Sequence, residues 1–201
     1  MTEVVQSVSG MSMMYFKGAV VELFGAGVLE RGIAQLDPVM RAQMETTTAV
    51  AWVPADTLSR AAELWAAEAG VSPEELTARC VRESTRRSFG TVWRVLLYFT
   101  TDEALVARAP LLWSRTRNAG VLTVELRSPR EARLLLSQWR TTLDRQLLSI
   151  AVGFEAILEI TGRPHARCAY KRTPDGGSFH LRWGDASIPE RTFPPRGAAS
   201  R

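Results

Sequence analysis

The chain carries few residues with metal or catalytic chemistry: two histidines, His165 and His180, and two cysteines, Cys80 and Cys168. His165, Cys168 and His180 fall close together near the C-terminus, and imidazoles on adjacent strands beside a thiolate form a donor set for a transition metal. Cys168 follows His165 by three residues, which puts the two on opposite faces of a regular strand. No metal site is therefore expected, and the histidines are read as structural. Ser178 and His180, two apart, share a strand face and could act as nucleophile and base. The sequence around them offers no acidic orienter and no G-x-S-x-G elbow. The other carboxylates singled out, Asp102, Glu103 and Asp144, are read as helix caps or solvated acids. No catalytic residue is assigned, and the protein is expected not to be an enzyme. The six tryptophans suggest an apolar site, since large aromatics line many ligand pockets. A pocket between the front helices and a sheet, with Trp93, Tyr98 and Trp113 beside it, stands against a core that these aromatics fill.

The elements that would position these residues are readable in part. Phe16, Val20, Val21, Leu23, Phe24 and Val28 fit a first helix, with Gly27 and Gly32 as its end, and a short helix follows from Asp37. Trp52, Val53 and Pro54 form an extended lead-in to a helix capped by Asp56 or Thr57 and stopped by Gly70. Ser72-Pro73-Glu74-Glu75 is a capping box with proline at the first helical position, so a helix runs to about Arg87. The run from Thr91 to Phe99 is apolar and aperiodic, and its place between helices favours helix. Thr101-Asp102-Glu103 starts another, with a break at Pro110. From Val121 the alternation of Leu122, Val124 and Leu126 with their neighbours has strand period, and the first strand is expected there. Ser128-Pro129-Arg130-Glu131 repeats the helix-start signal ahead of Leu134, Leu135, Leu136 and Trp139. A longer amphipathic helix, from about Thr142 to Thr161, ends at Gly162 and Pro164. Two strands joined by the turn Pro174-Asp175-Gly176-Gly177 close the domain. The sum is an α+β fold: a mostly helical N-terminal part packed on a small antiparallel sheet, with a C-terminal helix and hairpin.

A chain of 201 residues, 46% of them hydrophobic, can build one substantial core. The expected division is a flexible N-terminus over residues 1–14, one domain over 15–184 and a disordered basic tail over 185–201. No apolar run approaches the roughly 20 residues of a membrane span, and the first residues do not read as a secretory signal. Two isolated cysteines fit a reducing, cytoplasmic setting. Residues 1–78 carry four basic against ten acidic residues, and the remainder 21 against 11, so the chain divides into a −6 and a +10 part. The arginines are dispersed, which reads as a solvated basic surface before an acidic protein partner, with nucleic acid disfavoured.

Several segments resemble the haem nitric-oxide-binding domain and its wider superfamily of 4-vinyl-reductase-type sensor domains and transport-particle subunits. They are Phe16-Lys17-Gly18-Ala19-Val20-Val21, Gly70-Val71-Ser72-Pro73-Glu74-Glu75-Leu76, and the ending over residues 153–183. The pairs Lys17-Gly18, Trp52-Val53-Pro54 and Leu112-Trp113 ahead of Gly120 are most similar to a myxobacteria-restricted family of paralogues. The resemblance implies a ligand-binding domain that pairs as a homodimer or contacts a protein partner. It also implies an axial histidine on the helix before the first strand, where this chain has Trp113. An indole cannot ligate iron as an imidazole does, and Tyr170-Lys171-Arg172-Thr173 matches poorly the tyrosine, serine and arginine that clamp haem propionates. The expectation is a non-enzymatic, haem-free signalling or scaffold domain without a cofactor, binding a small hydrophobic ligand or a protein. A haem-dependent gas sensor and an enzyme using Ser178 and His180 are the alternatives.

Overall fold

The computed structural model describes residues 5–89, 100–139 and 143–185. Trp93, Tyr98, the expected helix over 91–99 and nearly all of the expected tail lie outside the described residues. Order begins earlier than expected: Ser7–Ser9 is a strand, β1, paired antiparallel with β2, Trp52–Pro54. The first strand is thus not at Val121, and residues 7–14 are not a loose terminus. The extended geometry that Pro54 favours supplies the second half of this ribbon.

Helix α1, Gly10–Phe24, starts at Ser9, whose Oγ accepts from the Ser12 amide. It ends at Gly25, where φ is +94°, a conformation that glycine adopts without a Cβ clash. Gly27 and Gly32 do not end this helix. Both lie within α2, Ala26–Ala34, and Gly32 is there because a Cβ would stand 2.3 Å from Cδ1 of Trp65. Asp37 caps α3, Pro38–Glu45, accepting from the amides of Val39 and Met40. Helix α4, Ala55–Ala69, stops at left-handed Gly70, and α5, Pro73–Ser88, begins with the expected bond from the Glu75 amide to Ser72 Oγ. Met13, Phe16, Ala19 and Val20 of α1 meet Ala61, Ala62, Trp65 and Ala66 of α4 and Leu76, Cys80 and Val81 of α5 in one core.

The second core belongs to a sheet. Helices α6, Asp102–Ala107, and α7, Ala109–Thr116, are separated at Arg108, two residues before Pro110. They lead into β3, Val121–Ser128, and β4, Glu131–Ser137. The Ser-Pro-Arg-Glu signal does not start a helix. Ser128 pairs with Glu131 across a two-residue loop in which Arg130 has φ +69°, so proline supplies a fixed turn residue. Ala132, Leu134 and Leu136 point inward while Arg133 and Leu135 point out. The three leucines fit either period, and pairing with β3 on one edge and β6 on the other decides for strand.

Helix α8, Asp144–Ile160, precedes the hairpin of β5, Arg167–Thr173, and β6, Gly176–Arg182. The sheet order is β3-β4-β6-β5, antiparallel throughout. The architecture is the expected α+β arrangement. Helix α8 divides it: Leu148 and Val152 join the helical core, and Leu147, Ile150, Ala151 and Leu158 join the sheet core. Burial on both sides explains why apolar residues surround this helix instead of striping one face. Among the described residues, no helix is long and apolar enough to cross a membrane.

Candidate ligand site at the junction of the two cores

The cores do not close completely near the N-terminal end of α8. A cavity of about 40 Å³ remains there, bordered by β1, α1, α4, α5, the residue after α7, Trp139 and α8. Phe16, Leu58, Ala62, Trp139 and Ile150 form its apolar surface, and Ser59, Thr77, Arg117, Arg145, Gln146 and Ser149 its polar one. It lies between the front helices and the sheet; of the three aromatics expected at a pocket, Trp113 is not among its lining residues and Trp93 and Tyr98 lie outside the described residues.

The polar groups come from four places in the chain: Ser59 from α4, Thr77 from α5, Arg117 from the end of α7, and Arg145, Gln146 and Ser149 from α8. Arg145, in the first turn of α8, donates to Glu63 of α4 at 2.6 Å and to the Ser59 carbonyl at 3.2 Å. Burial alone would raise the Glu63 carboxyl, but hydrogen bonds from Arg145 and Arg60 outweigh it and hold that carboxyl below its ordinary value. Gln146 accepts from Trp139 Nε1 and donates to Ser59 Oγ, both at 3.4 Å. Ser59 Oγ in turn donates to the Ala55 carbonyl. Arg117 leaves α7 in an extended conformation and gives one guanidinium N–H to its neighbour, the Thr116 carbonyl, at 2.9 Å. Thr77, on the inner face of α5, is 4% exposed, and its Oγ1 has no protein partner among the described residues.

Trp113 is one ring behind this cavity. Its indole meets Trp139 edge-on at 5.4 Å, the Arg117 guanidinium lies over it at 5.6 Å, and its N–H donates to the Ala119 and Gly120 carbonyls. Trp139 stands in the sequence as one of six tryptophans and on an expected helix, whereas it follows β4 by two residues. Arg117, Thr77, Arg145 and Gln146 carry no sequence signal, since they come from distant segments with no local pattern to join them.

The remaining candidates are dispersed. His165 and His180 are exposed, and Cys168 is buried. His165 lies before β5 with φ +56° instead of on it, so the three do not converge. Residues 131 and 180 supply the acid–histidine contact that the sequence did not reveal: His180 Nε2 is 2.7 Å from Glu131 Oε1 across the sheet. Ser178 and His180 share the outer face of β6, but alternate strand residues stand roughly 6.5 Å apart along the backbone, beyond direct proton transfer. Asp102 accepts from Arg163 and from Trp183 Nε1, pinning α6 to the chain end, and Asp144 pairs with Arg172. Burial pushes the Cys80 thiol up to about 12, leaving it without thiolate reactivity. A larger hollow of about 500 Å³, lined by residues 129–131 and 182–185, opens to solvent where β4 begins and β6 ends, and of these groups it takes in Glu131 and Trp183 but neither histidine, Cys168 nor Ser178.

No family model matches the chain, and no curated protein is significantly similar to it. Solved structures with the same fold are H-NOX proteins. A mutant Fe(II) unliganded H-NOX protein from K. algicida is 11% identical, with a TM-score of 0.63 over 89% of this chain and 98% of that one. A mutant H-NOX of T. Tengcongensis is 10% identical, with a TM-score of 0.62 over 88% and 98%. An oxygen-binding H-NOX domain related to soluble guanylate cyclases, solved as its oxygen complex, is 11% identical, with a TM-score of 0.58 over 92% and 100%. The chain therefore has an H-NOX-like fold.

Proposed function

We propose that this protein is a non-enzymatic, haem-free sensor domain that binds a small molecule at the junction of its two cores and relays occupancy to a protein partner, a second copy of the chain included. The supporting observation is the cavity between the cores, bordered by seven segments, Val8 of β1 included, whose relative positions a bound molecule would bias. A ligand can shift such an arrangement only by the difference in its affinity for two states, and a site shared by separate packing units supplies that difference.

The described residues do not fit a haem. The cavity measures about 40 Å³, against roughly 300–1,000 Å³ for pockets of larger organic ligands. Its lining includes no histidine, cysteine, tyrosine or methionine, the usual axial ligands, among the described residues, which supports the haem-free reading. Trp113 is buried with its N–H engaged by backbone carbonyls, and both histidines lie on the surface. The buried, free cysteines accord with a reducing cytoplasm.

The test is reconstitution of the full chain with haem, followed by a visible spectrum and native mass spectrometry. The expected result is no Soret band and a mass without porphyrin, with dimer or a retained small molecule resolved alongside. A five- or six-coordinate Soret spectrum would overturn the haem-free assignment in favour of a gas sensor.

A further inference from the structure

The polar surface of the junction cavity is chemically lopsided. Two cations border it, but only one is neutralised: Arg145 has Glu63 at 2.6 Å, whereas Arg117 has no carboxylate within ion-pair distance among the described residues. Its contacts there are the Thr116 carbonyl and the Trp113 ring. Burial draws its guanidinium down to about 10, so the group is still protonated at neutral pH. Arg117 keeps part of its surface accessible although protein surrounds it, as expected of a side chain bordering an internal space. Such a cation is costly to maintain without an opposing charge. Thr77 adds a buried group without a partner, since its Oγ1 has no protein partner among the described residues. A hydroxyl and a guanidinium, both short of acceptors, line one small volume.

We infer that this cavity binds a small oxyanion, a carboxylate or inorganic monoanion of about three or four non-hydrogen atoms, held by the Arg117 guanidinium and the Thr77 hydroxyl. The planar fork of an arginine matches two oxygens of such a group. Phe16, Leu58 and Ile150 give the cavity an apolar side, and its volume of about 40 Å³ suits a hydrogen or methyl substituent better than a longer chain. Acetate, formate and nitrate have the right charge and size, and acetamide has the size and shape of acetate without the charge. The inference rests on the reading of the junction as a small-molecule site and names the ligand class for it.

Thermal melts of the full chain, purified in buffer free of carboxylates, decide the matter. Acetate, formate, nitrate and acetamide are titrated separately at ionic strength held constant with chloride. A saturable rise in Tm with acetate and none with acetamide is expected, because only a ligand that prefers the folded state stabilises it. Arg117→Met is expected to weaken acetate binding by at least ~10-fold and Thr77→Val by a few-fold, as loss of a charge-assisted and a neutral hydrogen bond. Should Arg117→Met not fold, the acetate and acetamide pair on the unaltered chain and Thr77→Val carry the test. Equal responses to acetate and acetamide, no response to any of the three anions, or unweakened binding in both variants would each overturn the inference. A Soret band on haem addition would instead sink the haem-free reading, and it is read in a separate channel from the acetate melts.

Discussion

Arg82 joins the two cores through a carboxylate that has no access to water, and its removal is the sharpest test of how the halves are held. Arg82 Nη2 lies 2.6 Å from Glu155 Oε2 and Nη1 lies 2.6 Å from Glu159 Oε2. Glu155, on α8, is 0% exposed, and its other oxygen accepts from the Cys168 amide of β5 at 2.9 Å. One side chain thus ties α5, α8 and β5 together. In Arg82→Met the stem still packs, but buried Glu155 loses the guanidinium at 2.6 Å. Breaking such a pair costs ~3–5 kcal/mol, and the partial exposure of Arg82 together with the surviving Cys168 bond sets the expectation near the lower end, ~3 kcal/mol. For a chain of this length that corresponds to a fall in Tm of roughly 6–12 °C. Glu159 contributes little to the loss, because Arg167 remains 3.4 Å from its other oxygen. The double variant Arg82→Met/Glu155→Leu removes the buried carboxylate as well and takes this acceptor from the Cys168 amide, a deficit of ~1–2 kcal/mol. Urea denaturation of the single and double variants measures both, and the double variant is expected to be the more stable. A double variant as unstable as Arg82→Met, or less stable, would refute the buried-carboxylate account and assign the cost to lost packing of the arginine stem.

Two further outcomes follow from the helical half. Gly32→Ala is expected to lower the unfolding free energy from urea denaturation by ~1–2 kcal/mol, because the intrusion on buried Trp65, whose N–H is held by the Leu29 carbonyl, exceeds the ~1 kcal/mol gain in helix propensity. Gly27→Ala meets only the flexible end of Arg31 and should stabilise by up to ~1 kcal/mol; the same sign for both would contradict the steric assignment. Glu63, held below its ordinary value of 4.5, contributes stability that is full above 4.5 and is lost as pH falls through its lower folded value. Glu63→Gln should therefore cost a constant amount at neutral pH and flatten the acid limb of the stability–pH curve, which denaturation series across that range will show.

What could be read from the amino-acid sequence was local. Ser72-Pro73-Glu74-Glu75 and Asp37-Pro38 announce helix starts because the capping side chain and the amide it satisfies lie within three residues. Gly70 announces a stop because a left-handed residue is needed there. The hairpin was legible from Pro174 and Asp175 between two alternating runs, and these elements in order sufficed for the α+β class. Tertiary structure decided the cases in which the same residues satisfy two local rules. Ser128-Pro129-Arg130-Glu131 serves a turn as well as a helix cap, and Leu134 to Leu136 became the centre of a sheet because strands on both sides supplied their hydrogen bonds. Gly32 looked like punctuation until Trp65, 33 residues on, came to lie against it. The junction site was the least legible of all. Phe16, Thr77, Arg117, Trp139 and Arg145 each satisfy ordinary local roles, and their common cavity arises only where α8, buried on both faces, holds the two cores apart. Charge compensation is likewise a property of neighbours in space: Arg145 and Arg117 are indistinguishable as letters, and only the fold gives one a carboxylate and the other a cavity.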